Sequence, residues 1–342
     1  MKQNKPYPDL MKAVILKKQG EPLSVSEVNV PEPGPGEVVI KMAAAPINPS
    51  DIARIKRAYP ESELATIIPG LEGSGRVVAA GKGLLPRIWL GRRVTCSSKH
   101  LTSGSWAEYM VTSAGMCFPL SKKVSDEQGS MSLVNPLTVL AFFDIVRKNK
   151  HKAIINNAAA SALGRMMELL GKKKGIPVIN LVRNQNQAEI LMNSGSEHVL
   201  VTSSSSFLNK LKDLAGDLKA TILFDSVCSR QTRDIIDVLP YGSEVIIYGN
   251  LSGEEEIMVK PMNLISNDIH ISGFYLGNST RERGLIRNIL DLNQVRRLMK
   301  NDLKINIRNK YPLDKVNEAI ESYVTKMSSG KVLLVPDLLS DY

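Results

Sequence analysis

Residues 153–164 read Ala153-Ile154-Ile155-Asn156-Asn157-Ala158-Ala159-Ala160-Ser161-Ala162-Leu163-Gly164. An apolar run with strand character breaks at Asn157 into a turn of small residues. A helical pattern, Leu163–Lys174, follows. About twenty residues later a second apolar run, Pro177–Arg183, closes on Leu181-Val182-Arg183-Asn184. Strand, small-residue turn, helix and strand in that order are the context of a nucleotide-binding unit. The turn must let backbone amides at a helix N-terminus approach a pyrophosphate. Glycines usually permit this, but here Ser161 and Ala162 stand in two of the glycine places and Gly164 in the third. Small side chains keep the room without the full backbone freedom of glycine. Alone, such a turn is equally compatible with a purely structural connection.

The same alternation continues outward. Apolar runs at His198–Thr202, Ala220–Val227, Glu244–Gly249 and Ile269–Leu276 are separated by helical stretches such as Ser206–Ala215, with Ser203–Ser206 read as a capping turn. Continuously apolar strands separated by helices imply a parallel sheet covered on both faces. Residues 11–130 differ. They read as short strands and turns, with runs at Met11–Lys17 and Glu37–Ala45 joined through Pro31, Pro33, Gly34, Pro35 and Gly36. Residues 280–304 read as one long helix, Val316–Lys326 as a helix and Lys331–Val335 as a strand.

Length and composition bound the rest. The 342 residues suit about two domains. Hydrophobic residues at 43% and charged residues at 23% exclude a mainly disordered chain. No apolar run approaches the ~20 residues of a membrane-spanning helix. Three cysteines, Cys96, Cys117 and Cys228, make no disulfide framework and suit a reducing compartment. The charge is +10, from 44 Lys and Arg against 34 Asp and Glu. The positive residues are scattered, the densest groups being Lys172–Lys174 and Arg296, Arg297 and Lys300, and they read as solvated helix faces. With 5% aromatics and no zinc-finger or RNA-binding motif, nucleic acid is not the expected partner. Residues 1–10 lack the apolar core of a secretory signal and form no Arg/Ser-rich presequence.

Arg183-Asn184-Gln185 sharpens the cofactor reading. An NAD site normally has Asp or Glu at the end of the second strand to bind ribose hydroxyls, whereas a 2′-phosphate requires a cation and rejects a carboxylate. A cofactor here is therefore expected to be NADP(H), and the competing reading of Arg183 is a surface arginine at a strand end.

Several stretches in order resemble the zinc-independent branch of the medium-chain dehydrogenase/reductase superfamily, most of all its mitochondrial 2-enoyl thioester reductases and quinone-oxidoreductase-like proteins. They are Ile47–Ile52 with Tyr59-Pro60, Pro69–Gly75, Gly104–Tyr109, Val134–Thr138, Asn157–Gly164, Tyr248-Gly249, Gly273-Phe274 and Gly330–Leu334. The resemblance implies an α/β fold: a Rossmann-like doubly wound parallel sheet over 134–276, and a GroES-like bent β domain over 1–133 completed by about 277–342. The substrate, an acyl thioester or a quinone-like compound, would lie between them.

The resemblance also assigns roles. Tyr59 is the proton donor, with Asn48 orienting it or the substrate. Asn135 and Thr138 lie beside the nicotinamide half. Ala160, Ser161, Ala162, Leu163 and Gly164 form the pyrophosphate turn, and Arg183, Asn184 and Gln185 take the adenosine phosphate. Tyr248, Gly249, Asn250 and Leu251 follow the fifth strand. Phe274, Tyr275 and Leu276 follow the sixth, with Tyr275 where these reductases often have Trp. Lys331 matches a C-terminal lysine near the cofactor. Core packing competes for Phe274 and Tyr275, a loop-end packing role for Tyr59, and a solvated strand start for Lys331.

Zinc is not expected. Where zinc-dependent relatives carry Cys and a Gly-His-Glu segment, this chain has Asn48-Pro49-Ser50-Asp51 and Gly70-Leu71-Glu72. A catalytic zinc needs three protein ligands.

The expected function is NADPH-dependent reduction of 2-enoyl thioesters or related conjugated carbonyl compounds. Three departures motivate an alternative: Ala162 for glycine, Cys228 for a common glycine, and Lys56-Arg57-Ala58 before Tyr59. That alternative is a non-catalytic reductase-fold subunit of a larger assembly such as a mitochondrial respiratory complex, with NADPH retained or lost. A homodimer through the Ile269–Leu276 edge is the expected simpler assembly. The resemblance and the basic charge point to the mitochondrion, with the cytoplasm as the alternative.

Overall fold

The computed structural model describes residues 5–18, 20–56, 67–100 and 102–338. Tyr59 and its approach, Arg57-Ala58, lie outside the described residues. The chain divides into two units, Met1–Val134 with Ile289–Tyr342, and Asn135–Asn288.

In the first unit, β1 (Leu10–Ile15) pairs antiparallel with β2 (Ser24–Asn29). The main sheet is built on β3 (Glu37–Pro46), with β4 (Glu72–Ala80), β5 (Arg93–Ser97), β6 (Tyr109–Ser113) and β7 (Cys117–Pro119). β3 changes partners along its length. Residues 37–41 pair with β6, 38–44 with β4, and Ala45 and Pro46 with a strand from the far end of the chain. The register shifts between Val39 and Ile40 and again between Met42 and Ala44, which is how one strand bends to serve several neighbours. Val38, Ile40 and Met42 enter one apolar cluster and Val39 another. Both faces are thus buried over most of the strand, and the run reads as apolar but for Glu37 and the exposed Lys41.

The second unit is one six-stranded parallel sheet of β8 (Ala153–Asn156), β9 (Val178–Val182), β10 (His198–Val201), β11 (Ala220–Asp225), β12 (Glu244–Ile247) and β13 (His270–Gly273). Their spatial order is β10-β9-β8-β11-β12-β13. The order reverses between β8 and β11, and in open α/β sheets the crevice at such a reversal, beyond the carboxyl ends of the strands, is where ligands bind. Ile155, Ile179, Leu181, Leu223 and Val245 pack with Phe207, Leu211 and Ala215 of the Phe207–Asp217 helix. The chain then returns to the first unit with β14 (Ile307–Tyr311), the Val316–Thr325 helix and β15 (Lys331–Leu334), which pairs with the end of β3.

Three readings of the sequence are corrected. The long helix expected over 280–304 runs Leu276–Asn301 and is interrupted at Gly284, whose φ of 73° lies outside helical space. The boundary between units falls within that helix rather than at 277. Arg283 and Arg287, on either side of the interruption, both bond Asp144 and hold this segment to the second unit. Ser206 precedes its helix without capping it. At φ −89° and ψ 4° it is not extended, and its side chain makes no capping bond. The Val134–Lys148 helix was visible in the sequence only as the motif at its start; Pro136 sits in its first turn, where no helical hydrogen bond is lost.

Candidate active site

The turn after β8 is held by its own side chains. Ser161 is an extended N-cap (φ −68°, ψ 167°) whose hydroxyl accepts from the Gly164 amide at 3.0 Å. Neither Ser161 nor Ala162 has the left-handed backbone that demands glycine. Gly164 is different: a Cβ there would lie 2.3 Å from the Ala159 carbonyl oxygen. The glycine with a steric reason is kept, and those replaced have no left-handed backbone. The amides of Ala162 and Leu163, in the first turn, carry no hydrogen bond among the described residues. Free amides at a helix start are what an anionic pyrophosphate uses. Arg165 donates from Nε to the Ala160 carbonyl at 3.1 Å and braces the turn from behind.

Beside the turn lies a buried polar knot that the sequence reading did not assign. Asn157 Nδ2 donates to Asp225 Oδ1, and Asn157 Oδ1 accepts from the Ser226 amide at 2.9 Å. Asp225 also accepts from the amides of Val227 (2.7 Å) and Cys228 (2.9 Å) and from the Thr232 hydroxyl (2.6 Å). This ties β8 to β11 at the topological reversal. Cys228 has φ 55°, so the glycine common there in relatives has a backbone reason. The visible signal was a polar residue ending each of two apolar strands.

At the end of β9, the Arg183 side chain is exposed and makes no hydrogen bond or ion pair among the described residues. Its backbone amide donates to Gln187. Asn184 has a structural task as well, capping the next helix by accepting from the Gln187 amide at 3.0 Å. Gln185 is exposed and reaches Glu189 at 3.4 Å. No carboxylate occupies residues 183–188.

Beyond β12 and β13, Phe142 gathers three aromatic rings. It stacks on Phe224 with centroids 4.1 Å apart, and meets Tyr248 and Phe274 edge-on at 4.9 Å each. Phe274 is thus a packing residue at the strand ends, whereas Tyr275 is 70% exposed and is not core. Burial pushes the Tyr248 phenol up. Gly249 lies against Ser226, and the Leu251 amide donates to the Ser226 carbonyl at 2.9 Å. Asn250 closes its own loop by accepting from the Gly253 amide. Leu276 begins the long helix. Asn135 and Thr138 occupy the first turns of the Val134–Lys148 helix.

In the first unit the structure brings together Asn48, Asp51, Glu72 and Lys331, each at most 2% exposed. Asn48 Nδ2 donates to Glu72 Oε1 at 3.0 Å, and Lys331 Nζ donates to Asn48 Oδ1. Glu72 Oε2 accepts from the amides of Leu133 (3.0 Å) and Val134 (2.9 Å). Asp51 accepts from the amides of Asn48 and Leu71, both at 2.8 Å. Burial pushes Asp51 up to about 7, against the pull of the Asn48 amide. Burial also raises Glu72 and lowers Lys331, and each opposes the other's shift by its charge. The reading of Lys331 as a solvated strand-start lysine is overturned: it is buried and acts on Asn48. Both ends of the Asn48 amide are engaged, and Asn48 immediately precedes the Pro49–Lys56 helix. Among the described residues no three His, Cys, Asp or Glu side chains converge to hold a metal.

Comparison with known proteins accords with this architecture. The profile of the alcohol dehydrogenase GroES-like domain matches residues 34–122, and that of the zinc-binding dehydrogenase domain matches 162–291. The chain is 32% identical over 277 residues to a mitochondrial enoyl-[acyl-carrier-protein] reductase of Arabidopsis thaliana, covering 78% of this chain and 72% of the relative. A Mesorhizobium loti structure assigned as an NADPH:quinone reductase superposes with TM-score 0.88 at 31% identity, over 96% of this chain and 99% of that one. Escherichia coli quinone oxidoreductase, solved with NADPH, shares the fold at TM-score 0.82 and 24% identity, over 95% and 100% of the two chains. The chain belongs to the medium-chain dehydrogenase/reductase superfamily of oxidoreductases.

Proposed function

We propose that this protein is an NADPH-dependent reductase of 2-enoyl thioesters or related conjugated carbonyl compounds. The observation that carries the cofactor choice is Arg183, an exposed guanidinium without a partner among the described residues, at the end of β9 where an NAD site has a carboxylate. The residues fit the group. The free amides of Ala162 and Leu163 would hold the pyrophosphate and Arg183 the 2′-phosphate, while Asn135, Thr138, Tyr248 and Phe274 would line the nicotinamide half. When bound, NADPH supplies the hydride that reaches the β-carbon. Tyr59 delivers a proton to the α-carbon, and Asn48, fixed by Glu72 and Lys331, sets the start of the segment that carries it. The names of the enoyl reductase relatives support both the thioester class and a mitochondrial location.

The test is NADPH oxidation with a crotonyl-type thioester, run beside a quinone. Tyr59→Phe is expected to lower kcat by about 10²-fold or more, the range of a lost general acid, with cofactor affinity unchanged. Absence of cofactor binding, or an unchanged rate in Tyr59→Phe, refutes the proposal. The accessory-subunit reading draws on Ala162 and Cys228 in place of glycines and on Lys56-Arg57-Ala58 before Tyr59. Ala162 does not support it, since that position lacks a left-handed backbone, whereas Cys228 does have one. β13 lies at the edge of its sheet with His270, Ser272 and Gly273 exposed, which supports pairing with a second copy. Sedimentation as a monomer would count against that dimer.

A further inference from the structure

Residues 73–107 contain no aspartate or glutamate, yet carry Arg76, Lys82, Arg87, Arg92, Arg93 and Lys99. In the middle of this stretch the short Leu84–Trp89 helix packs against β3, β4 and the Ala114–Met116 turn. It is pinned from beneath. Pro86 is buried, and Trp89 Nε1 donates to the Ala114 carbonyl at 2.9 Å. The pinning turns the aliphatic side chains outward: Leu84 is 77% exposed, Leu90 53%, and Leu85 and Ile88 42% each. Met116, also exposed, sits on the neighbouring turn. Around them Lys82, Arg87 and Arg92 are exposed and form no ion pair among the described residues, Arg92 lying 5.8 Å from the Trp89 ring centroid. Arg93 and Lys99 are already paired, with Asp126 and Glu37.

We infer that this face docks on an anionic lipid bilayer, the leucines and Ile88 entering the boundary between headgroups and acyl chains while Lys82, Arg87 and Arg92 meet the phosphates. Charge complementarity selects the occupant. An apolar centre edged by unpaired cations matches a plane of anionic headgroups over hydrocarbon. A second copy is a poor fit, because a two-fold pairing of this patch would bring its cations against themselves. No helix among the described residues is long and apolar enough to cross a membrane, so the attachment is peripheral and reversible.

The experiment is co-sedimentation of the full chain with vesicles of phosphatidylcholine alone and of phosphatidylcholine with phosphatidylglycerol, four to one, at low and high salt. Binding is expected to the anionic vesicles only and to weaken with salt. Each cation removed should weaken partitioning roughly fivefold, so Arg87→Ala with Arg92→Ala loses about 25-fold. Leu84→Ser with Ile88→Ser should lower binding at least about tenfold, by loss of buried aliphatic area. These side chains are exposed, so both variants should keep the parent's melting temperature and NADPH oxidation. Failure to bind anionic vesicles overturns the inference. So does equal binding to neutral ones, or variants that bind like the parent. A change of oligomeric state in Leu84→Ser with Ile88→Ser would show that another copy covers the patch, and overturns it too.

Discussion

Replacing Lys331 by Met removes a buried cation while keeping an unbranched stem of similar reach. Two losses follow from the geometry. Asn48 Oδ1 loses its charged donor, and Glu72 and Asp51 lose the positive charge that offsets their burial. Breaking a buried charge arrangement from one side costs about 3 kcal/mol or more when the remaining carboxylate is ionised. The cost depends on pH. Burial already holds Asp51 and Glu72 above their ordinary values, and removing Lys331 raises both further. An acid whose pKa is higher folded than unfolded binds extra protons in the folded state, so its stabilisation is complete below about 4 and fades as pH rises through the folded value. The variant should therefore lose about 3 kcal/mol at pH 8 but only about 1 kcal/mol near pH 5, where a proton takes the place of the missing cation. Guanidinium unfolding followed by tryptophan fluorescence isolates the effect, because the two tryptophans, Trp89 and Trp106, both lie in the first unit. A loss below about 1 kcal/mol at pH 8, or one equal at both pH values, would refute the reasoning.

Arg183→Ala should raise KM for NADPH by roughly 10- to 100-fold, the worth of a charge-assisted bond to phosphate, and leave NADH use unchanged; equal weakening of both cofactors rejects the phosphate assignment. Gly164→Ala would place a methyl 2.3 Å from the Ala159 carbonyl, so it should abolish NADPH binding or lower stability by about 2 kcal/mol or more, read by isothermal titration and melting. Cys228→Gly relieves a left-handed backbone at φ 55°, worth about 1 kcal/mol, but adds about 0.5–1 kcal/mol of chain freedom to the unfolded state, so the melting temperature should change little; a loss above about 1 kcal/mol would mean that the cysteine side chain contributes packing.

The parallel sheet was legible because its inner strands β8, β9, β11 and β12 are largely buried and read as apolar runs alternating with helices. The first unit was less so. β3 takes partners from three directions, and nothing local in Glu37–Pro46 says that its last residues pair with a strand beginning at Lys331. The same distance hid the buried network. Asn48 and Lys331 are 283 residues apart, and Asn48 and Glu72 are 24 apart, so each looks locally like a surface residue. Asn184 illustrates another limit. A polar residue at a strand end fits a ligand contact and a helix cap equally well, and the structure gives it the cap. Ser161 has the same ambiguity, with its hydroxyl on the Gly164 amide.

The replaced glycines bear on whether the cofactor turn has decayed, and the backbone separates the cases. Neither Ser161 nor Ala162 has a left-handed backbone, so their side chains add no strain of that kind. Ala158 (φ 48°) and Cys228 (φ 55°) do carry left-handed strain without glycine's relief, at about 1–2 kcal/mol each. Both sit at the carboxyl ends of β8 and β11, on either side of the reversal in strand order. The knot around Asp225 takes up the Cys228 amide and holds that strained residue in place. Lys150, Lys219 and Asp268, just before β8, β11 and β13 at the opposite edge, carry the same left-handed backbone (φ 62°, 52° and 52°), so the strain alone does not mark the binding edge. What distinguishes Cys228 is that the Asp225 carboxylate takes up its amide at 2.9 Å, so this edge of the sheet is held without the glycine that relatives commonly carry there.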